Sequence, residues 1–131
     1  MENGKWKVKV KIGMESRPSV LRDKSYAFAL RIVNLCQELS EEKREFVLSK
    51  QVRRSGTSIG ANIAEATQAQ STADFVHKLS IAHKESFETE FWLCLLRDSE
   101  YIAGSQANSL ISECCEIQKM LTASIKTAKG R

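Results

Sequence analysis

The sequence predicts an all-α protein, an antiparallel up-down four-helix bundle with a short basic N-terminal extension. Three observations carry that prediction. Apolar residues recur at spacings of three and four through four long segments. The segments are joined by only a few residues, which places neighbours antiparallel. A single proline stands among 131 residues, too few breakers for the many turns of a sandwich or barrel.

Size and composition agree. At 42% apolar and 27% charged, the chain is too hydrophobic to stay unfolded. It is long enough for one domain with its own core. No run approaches the ~18 apolar residues of a membrane span. The lysine-rich start lacks the apolar stretch of a secretory signal, so a cytoplasmic protein is expected.

Residues 1–18 form the extension. Lys5-Trp-Lys-Val-Lys-Val-Lys-Ile12 alternates with period two, as a half-buried strand does. No second segment offers it a partner, so disorder or addition to a neighbour's edge is expected. Met14 is a candidate internal start. The formal net charge of +4 is concentrated here. Residues 1–13 carry +3, and the remainder holds 16 basic against 15 acidic residues. Bulk charge therefore argues weakly for nucleic acid, and a local patch must carry any such reading.

The bundle is expected over 19–127, followed by a basic tail at 128–131. Pro18 and Ser19 open the first helix, expected over 19–39. One apolar line runs Tyr26, Ala29, Leu30, Val33, Cys36, and a second runs Phe28, Ile32, Leu35, Leu39. Ser40 reads as the N-cap of a second helix beginning at 41. That helix turns small and polar after Val52. Gly56 and Gly60 each cost roughly 1 kcal/mol against alanine in a helix, which close approach of another helix would offset. Residues 67–72 read as a loop, with Ser71 or Thr72 capping the third helix. Its seam is the cleanest: Phe75, Leu79, Ala82, Ser86, Thr89, Leu93 and Leu96. It is expected to run to about Tyr101 and to be broken by Gly104. The fourth helix is expected from about 106, with the seam Ala107, Leu110, Cys114, Ile117, Leu121, Ser124.

Chemistry-bearing motifs are sparse. Neither His77 nor His83 follows a glutamate by three residues, so the di-metal bundle motif is missing. Gly56 and Gly60 lack the Lys-Ser/Thr ending of a phosphate loop. Cys36, Cys94, Cys114 and Cys115 form no CxxC pair and read as reduced core thiols. No catalytic residue, metal, cofactor or small-molecule substrate is expected.

The strongest local feature is Arg53-Arg-Ser-Gly-Thr-Ser-Ile-Gly-Ala-Asn-Ile-Ala-Glu65. Two readings stand side by side. In one, Ser55, Ser58, Asn62 and Glu65 meet Glu85 and Glu88 in a polar layer that sets register. In the other, Lys50, Arg53 and Arg54, extended by Arg31 and Lys24 from the first helix, contact phosphate. No aromatic residues interleave with this cluster, so base stacking lacks support. The third helix carries more apolar surface than one seam uses. Val76, Phe87, Phe91 and Trp92 are therefore expected in a homo-oligomer interface.

Three segments carry a resemblance: Lys24-Ser-Tyr-Ala-Phe-Ala-Leu-Arg-Ile-Val33, the Arg53 segment, and Phe75-Val-His-Lys-Leu-Ser-Ile-Ala-His-Lys-Glu-Ser-Phe-Glu-Thr-Glu-Phe-Trp-Leu93. In order and spacing they resemble the four-helix-bundle proteins of 23S ribosomal RNA intervening sequences, over roughly residues 20–125. The resemblance implies an up-down bundle that assembles as a pentamer and has no established catalytic residues. The accessory proteins of diversity-generating retroelements, which bind nucleic acid beside a reverse transcriptase, look similar. The implied signature positions are Arg53, Arg54, Ser55, Ser58, Asn62, Glu65, Glu85, Glu88 and Glu90. His83 departs from the apolar residue found there in many relatives. The expected function is a non-enzymatic homo-oligomer binding RNA or DNA through a repeated basic patch. The alternative is a scaffold that binds another protein.

Overall fold

Four long helices make up the computed structural model, which describes residues 17–130: α1 (Arg17–Glu42), α2 (Val47–Ala66), α3 (Thr72–Asp98) and α4 (Gly104–Lys129). Each helix packs against its sequence neighbours, and α1 closes the square against α4. Contacts across each seam fix the directions. Along α1 and α4, Lys24 pairs with Glu116, Arg31 with Glu113, and Glu38 meets Gln106. Residue numbers rise on one helix as they fall on the other, so the two run antiparallel. The α2–α3 seam repeats this with Arg54–Glu88 and Glu65–Lys78, and α3–α4 with His83–Thr122 and Arg97–Asn108. The antiparallel four-helix bundle is thus as expected. The extension at 1–16 lies outside the described residues.

The core follows the expected seams on α3 and α4. Leu79, Ala82, Ser86, Thr89, Leu93 and Leu96 are buried, as are Ala107, Leu110, Cys114, Ile117, Leu121 and Ser124. Each buried large aliphatic side chain contributes on the order of 1.5–3 kcal/mol. On α1 the wide apolar face divides. Phe28, Ile32, Leu35 and Leu39 are buried, whereas Tyr26, Leu30 and Val33 face outward. Two glycines let α2 approach α1. A Cβ on Gly56 would stand 2.9 Å from Ile32 Cγ2, and one on Gly60 would stand 3.3 Å from the Ser25 carbonyl oxygen.

The connections differ from the expected ones. Ser40 is no N-cap: it lies inside α1 and donates to the Cys36 carbonyl (2.7 Å). α1 continues to Glu42, and Arg44 takes the left-handed conformation (φ 54°) to turn the chain. Glu45 then caps α2. Its carboxylate accepts from the backbone N–H of Val47 (3.2 Å), Leu48 (2.9 Å) and Ser49 (2.8 Å). That satisfies three of the first turn's open donors and places negative charge at the helix's positive end. Ser71 caps α3 as expected, accepting from Asp74 N–H (3.0 Å). Gly104 does not break α3. The break falls at Glu100 (φ 67°), where Glu100 N–H bonds the Arg97 carbonyl and Tyr101 N–H the Leu96 carbonyl. This is a Schellman end with a glutamate in the glycine position, and Gly104 is the first residue of α4. α4 also takes in Ala128 and Lys129, expected in the tail.

Candidate functional site

The polar segment of α2 builds two layers, one inside the bundle and one along its α2–α3 seam. Inside, Ser55 and Thr89 are fully buried. Thr89 Oγ1 lies 2.9 Å from Ser55 Oγ and 2.8 Å from the Glu85 carbonyl, sharing one proton between two acceptors. The neighbouring Ser86 donates to the His83 carbonyl (2.6 Å). Its own carbonyl accepts from Cys114 Sγ (3.2 Å) and Gln118 Nε2 (3.3 Å). Gln118 Nε2 also donates to Glu90 Oε1 (2.9 Å). The layer thus crosses from α2 through α3 to α4. Such buried groups are tolerable only when paired.

Of the residues expected in this layer, Ser55 alone enters the interior. Ser58 and Asn62 are half-buried and bond to each other: Asn62 Nδ2 donates to the Ser58 carbonyl (2.9 Å) and to Ser58 Oγ (3.1 Å). Arg54, Ser58, Asn62 and Glu65 share one face of α2, spaced four, four and three. That face runs along α3. Arg54 Nη2 donates to Glu88 Oε2 (2.8 Å), and Nη1 stands 3.9 Å from Glu85 Oε1. Glu88 Oε2 also accepts from Trp92 Nε1 (3.0 Å). Glu85 Oε1 is buried without a hydrogen-bond partner, so the nearby guanidinium is its compensation. At the far end Lys78 Nζ donates to Glu65 Oε1 (2.8 Å).

Gln118 is the interior residue that the sequence reading missed. Its signal was present: it lies one helical turn after Cys114 and beside Ile117, a polar residue at the edge of the α4 seam.

The five basic residues do not form one patch. Lys24 and Arg31 lie in the α1–α4 seam, paired with Glu116 (3.1 Å) and Glu113 (2.9 Å). Arg54 lies in the α2–α3 seam, on the opposite side of the square. Only Lys50 and Arg53, both exposed, stay together one turn apart on α2. Among the described residues, no ion pair engages either. Lys43 and Arg44, also exposed, sit in the connection just before α2.

The expected interface residues separate too. Phe87 and Phe91 are 51% and 59% exposed. Val76 is half-buried. Trp92 packs against its own core, with Phe91 edge-on to it at 5.1 Å. Leu95, which the sequence reading did not single out, is also exposed and continues the Phe87–Phe91 line by one turn.

The remaining titratable groups are structural in their surroundings. Burial pushes the Cys36 thiol up to about 11 and the Cys114 thiol up to about 12. Each donates to a carbonyl, of Ser49 and Ser86 respectively. Burial also holds the His83 imidazole below its usual value. Its Nε2 meets Thr122 Oγ1 at 3.0 Å, and its ring stands edge-on to Phe87. An apolar notch is lined by Leu21, Ile63, Ala66, Thr67, Phe75, Leu79 and Ser124, without a histidine or carboxylate. Among the described residues, no three His, Cys, Asp or Glu side chains gather where a metal could sit, and no helix is long and apolar enough to cross a membrane.

Comparison with known proteins adds to this geometry. A crystal structure from Bacteroides thetaiotaomicron VPI-5482, described as a protein of unknown function from the S23 ribosomal protein family, is 56% identical. The match covers 85% of this chain and 99% of that one, with a TM-score of 0.83. Among curated proteins, none matches this chain. The family model of the 23S rRNA-intervening sequence protein matches residues 19–123, nearly the whole bundle. The chain therefore belongs to the 23S rRNA-intervening sequence protein family.

Proposed function

We propose that this chain is a non-enzymatic, cytoplasmic homo-oligomer, a pentamer, that binds RNA or DNA through a basic patch repeated once per subunit. The observation that carries the reading is the pair Lys50 and Arg53 on the outer side of α2. Both are exposed, neither is neutralised by a carboxylate of the described residues, and Lys43 and Arg44 lie just before them in the chain. Arginine forks and lysine ammonium groups are the usual partners of phosphate. One such patch is small, but repetition around an assembly raises avidity without a high charge on each chain. The exposed Phe87 and Phe91 supply apolar surface of the kind that joins subunits. The family's name, with its link to 23S rRNA, supports RNA as the first nucleic acid to test.

The test measures binding of ribosomal RNA stem-loop transcripts, and of duplex DNA, across a salt series. The expected result is an affinity that falls linearly with salt on logarithmic axes, as counterion release requires. Lys50→Ala with Arg53→Ala weakens binding and flattens the slope. A slope near zero, or no binding at low salt, overturns the nucleic-acid reading and favours a protein-binding scaffold. Mass measurement of the particle in solution tests the assembly separately.

A further inference from the structure

We propose that copies of this chain join head to tail, the outward stripe of α1 (Tyr26, Leu30, Val33) on one copy seated against the outward stripe of α3 (Phe87, Phe91, Leu95) on the next. The proposal rests on the self-assembly stated above and names the two faces that make it.

Each stripe is a line of large apolar side chains with no cover in its own chain. Tyr26 and Leu30 are 61% and 50% exposed. The spacings match, four then three on α1 and four then four on α3, so both lines run along their helices at nearly one pitch. The helices that carry them occupy diagonally opposite corners of the bundle, because α1 and α3 each pack against α2 and α4. One copy therefore presents two different apolar faces on two different sides.

The stripes also lie at one level. Ile32 abuts Gly56, and the adjacent Ser55 touches Thr89. On the other side of the square, Arg31 pairs with Glu113, and the adjacent Cys114 bonds to Ser86. Both routes place residues 31–32 of α1 beside 86–89 of α3. The two stripes thus coincide along the bundle to within about one turn, ~5.4 Å. α1 and α3 run in the same direction within the bundle. With bundle axes aligned, a neighbouring copy sets Tyr26 beside Phe87, Leu30 beside Phe91 and Val33 beside Leu95.

Charge fits the same register. Asp23 precedes Tyr26 by three residues and Lys84 precedes Phe87 by three, and both are exposed. The alignment that matches the stripes brings this carboxylate to this ammonium. A symmetric contact of α3 on α3 would leave the α1 stripe bare on every copy. The head-to-tail contact covers both stripes with one kind of interface, and the common level lets successive copies close into a ring without climbing along the axis.

The experiment uses two surface variants of the full chain, Leu30→Glu and Phe91→Glu, with particle mass and circular dichroism as readouts. Each variant alone is expected to run as a folded single subunit. Mixed in equal amounts, they are expected to form a two-subunit particle and stop there. Phe91→Glu keeps an intact α1 face, Leu30→Glu keeps an intact α3 face, and the remaining faces are blocked. A Leu30→Glu protein that assembles like the wild type removes α1 from the interface. A Phe91→Glu protein that does so removes α3, and a mixture that stays as single subunits overturns the pairing. A wild-type chain that is itself a single subunit overturns the assembly reading, and this pairing with it. Zero-length carbodiimide coupling of the unaltered protein, with isotope-labelled and unlabelled copies mixed, checks the register without any mutation. An Asp23–Lys84 link between copies is expected, and its absence overturns the parallel alignment.

Discussion

Gly56 lies directly beneath Ile32: a methyl group there would come within 2.9 Å of Ile32 Cγ2. The β-branched isoleucine is stiff in a helix and cannot swing aside freely. α1 and α2 therefore touch almost backbone to side chain, and the glycine is needed for that contact. Gly56→Ala gains up to ~1 kcal/mol of helix propensity but overpacks the seam at a cost of about 1–3 kcal/mol. Net destabilisation is expected in urea unfolding. The double variant Gly56→Ala with Ile32→Val is expected to recover part of the loss, because the contact rather than the backbone sets it.

Arg54 and Arg53 are adjacent in sequence and opposite in role. Arg54 answers Glu85 and Glu88, whereas Arg53 projects into solvent. Arg54→Ala is expected to lower stability by roughly 0.2–1 kcal/mol, the range for a partly exposed ion pair, while leaving nucleic-acid affinity nearly unchanged. Arg53→Ala is expected to leave the urea midpoint alone and weaken RNA binding. Unfolding curves and binding isotherms on the same two proteins check both halves. Equal effects of both variants on affinity would remove the distinction.

The Schellman end of α3 holds Glu100 at φ 67°, a region where a Cβ is strained and glycine is not. Glu100→Gly is expected to raise stability by about 0.5–1 kcal/mol, despite the larger unfolded-state entropy of glycine. Glu45→Ala acts in the other direction. It removes the acceptor for three N–H groups at the start of α2 and is expected to cost about 1 kcal/mol. Thermal unfolding of the two variants beside the wild type gives both signs.

His83 is held below its ordinary imidazole value by burial, so the unfolded chain takes up its proton first as pH falls. The sign follows from linkage: the His83 contribution is complete above the unfolded value near 6.5 and is lost as pH drops from there through the folded value. Urea unfolding at neutral and mildly acidic pH is expected to show a steeper decline for the wild type than for His83→Gln. Parallel declines would mean that His83 titrates alike in both states.

The fold was legible where period and burial agree. On α3 and α4 the apolar residues fall on a single line, and the structure buries that line. On α1 the two apolar lines looked alike in sequence. Only the direction of α2 and α4 decides that Phe28 and Ile32 go inward while Tyr26 and Leu30 do not. The start of α2 was misread because Ser40 is a good cap by residue type. Glu45, whose longer side chain reaches three N–H groups, takes the role once α1 runs one turn further. Small residues at Gly56 and Gly60 did announce a close approach. The basic cluster failed for a different reason. Lys24 and Arg31 are similar to Arg54 in charge, but they sit on the opposite seam, and which carboxylate neutralises each cation depends on contacts more than thirty residues apart. Gln118 was passed over because its seam reads well without it.

The hydroxyl pair Ser55 and Thr89, fully enclosed between α2 and α3, bears on how the chain finds its native arrangement. A slip of α3 by one heptad would bring a leucine or an alanine against Ser55 and strand its oxygen in hydrocarbon, at a penalty of about 1–3 kcal/mol. The aliphatic seams above and below would tolerate that slip. Two small alcohols thus proofread the pairing of otherwise interchangeable greasy ridges, and the molecule surrenders a little cohesion to keep its surface residues in one geometry.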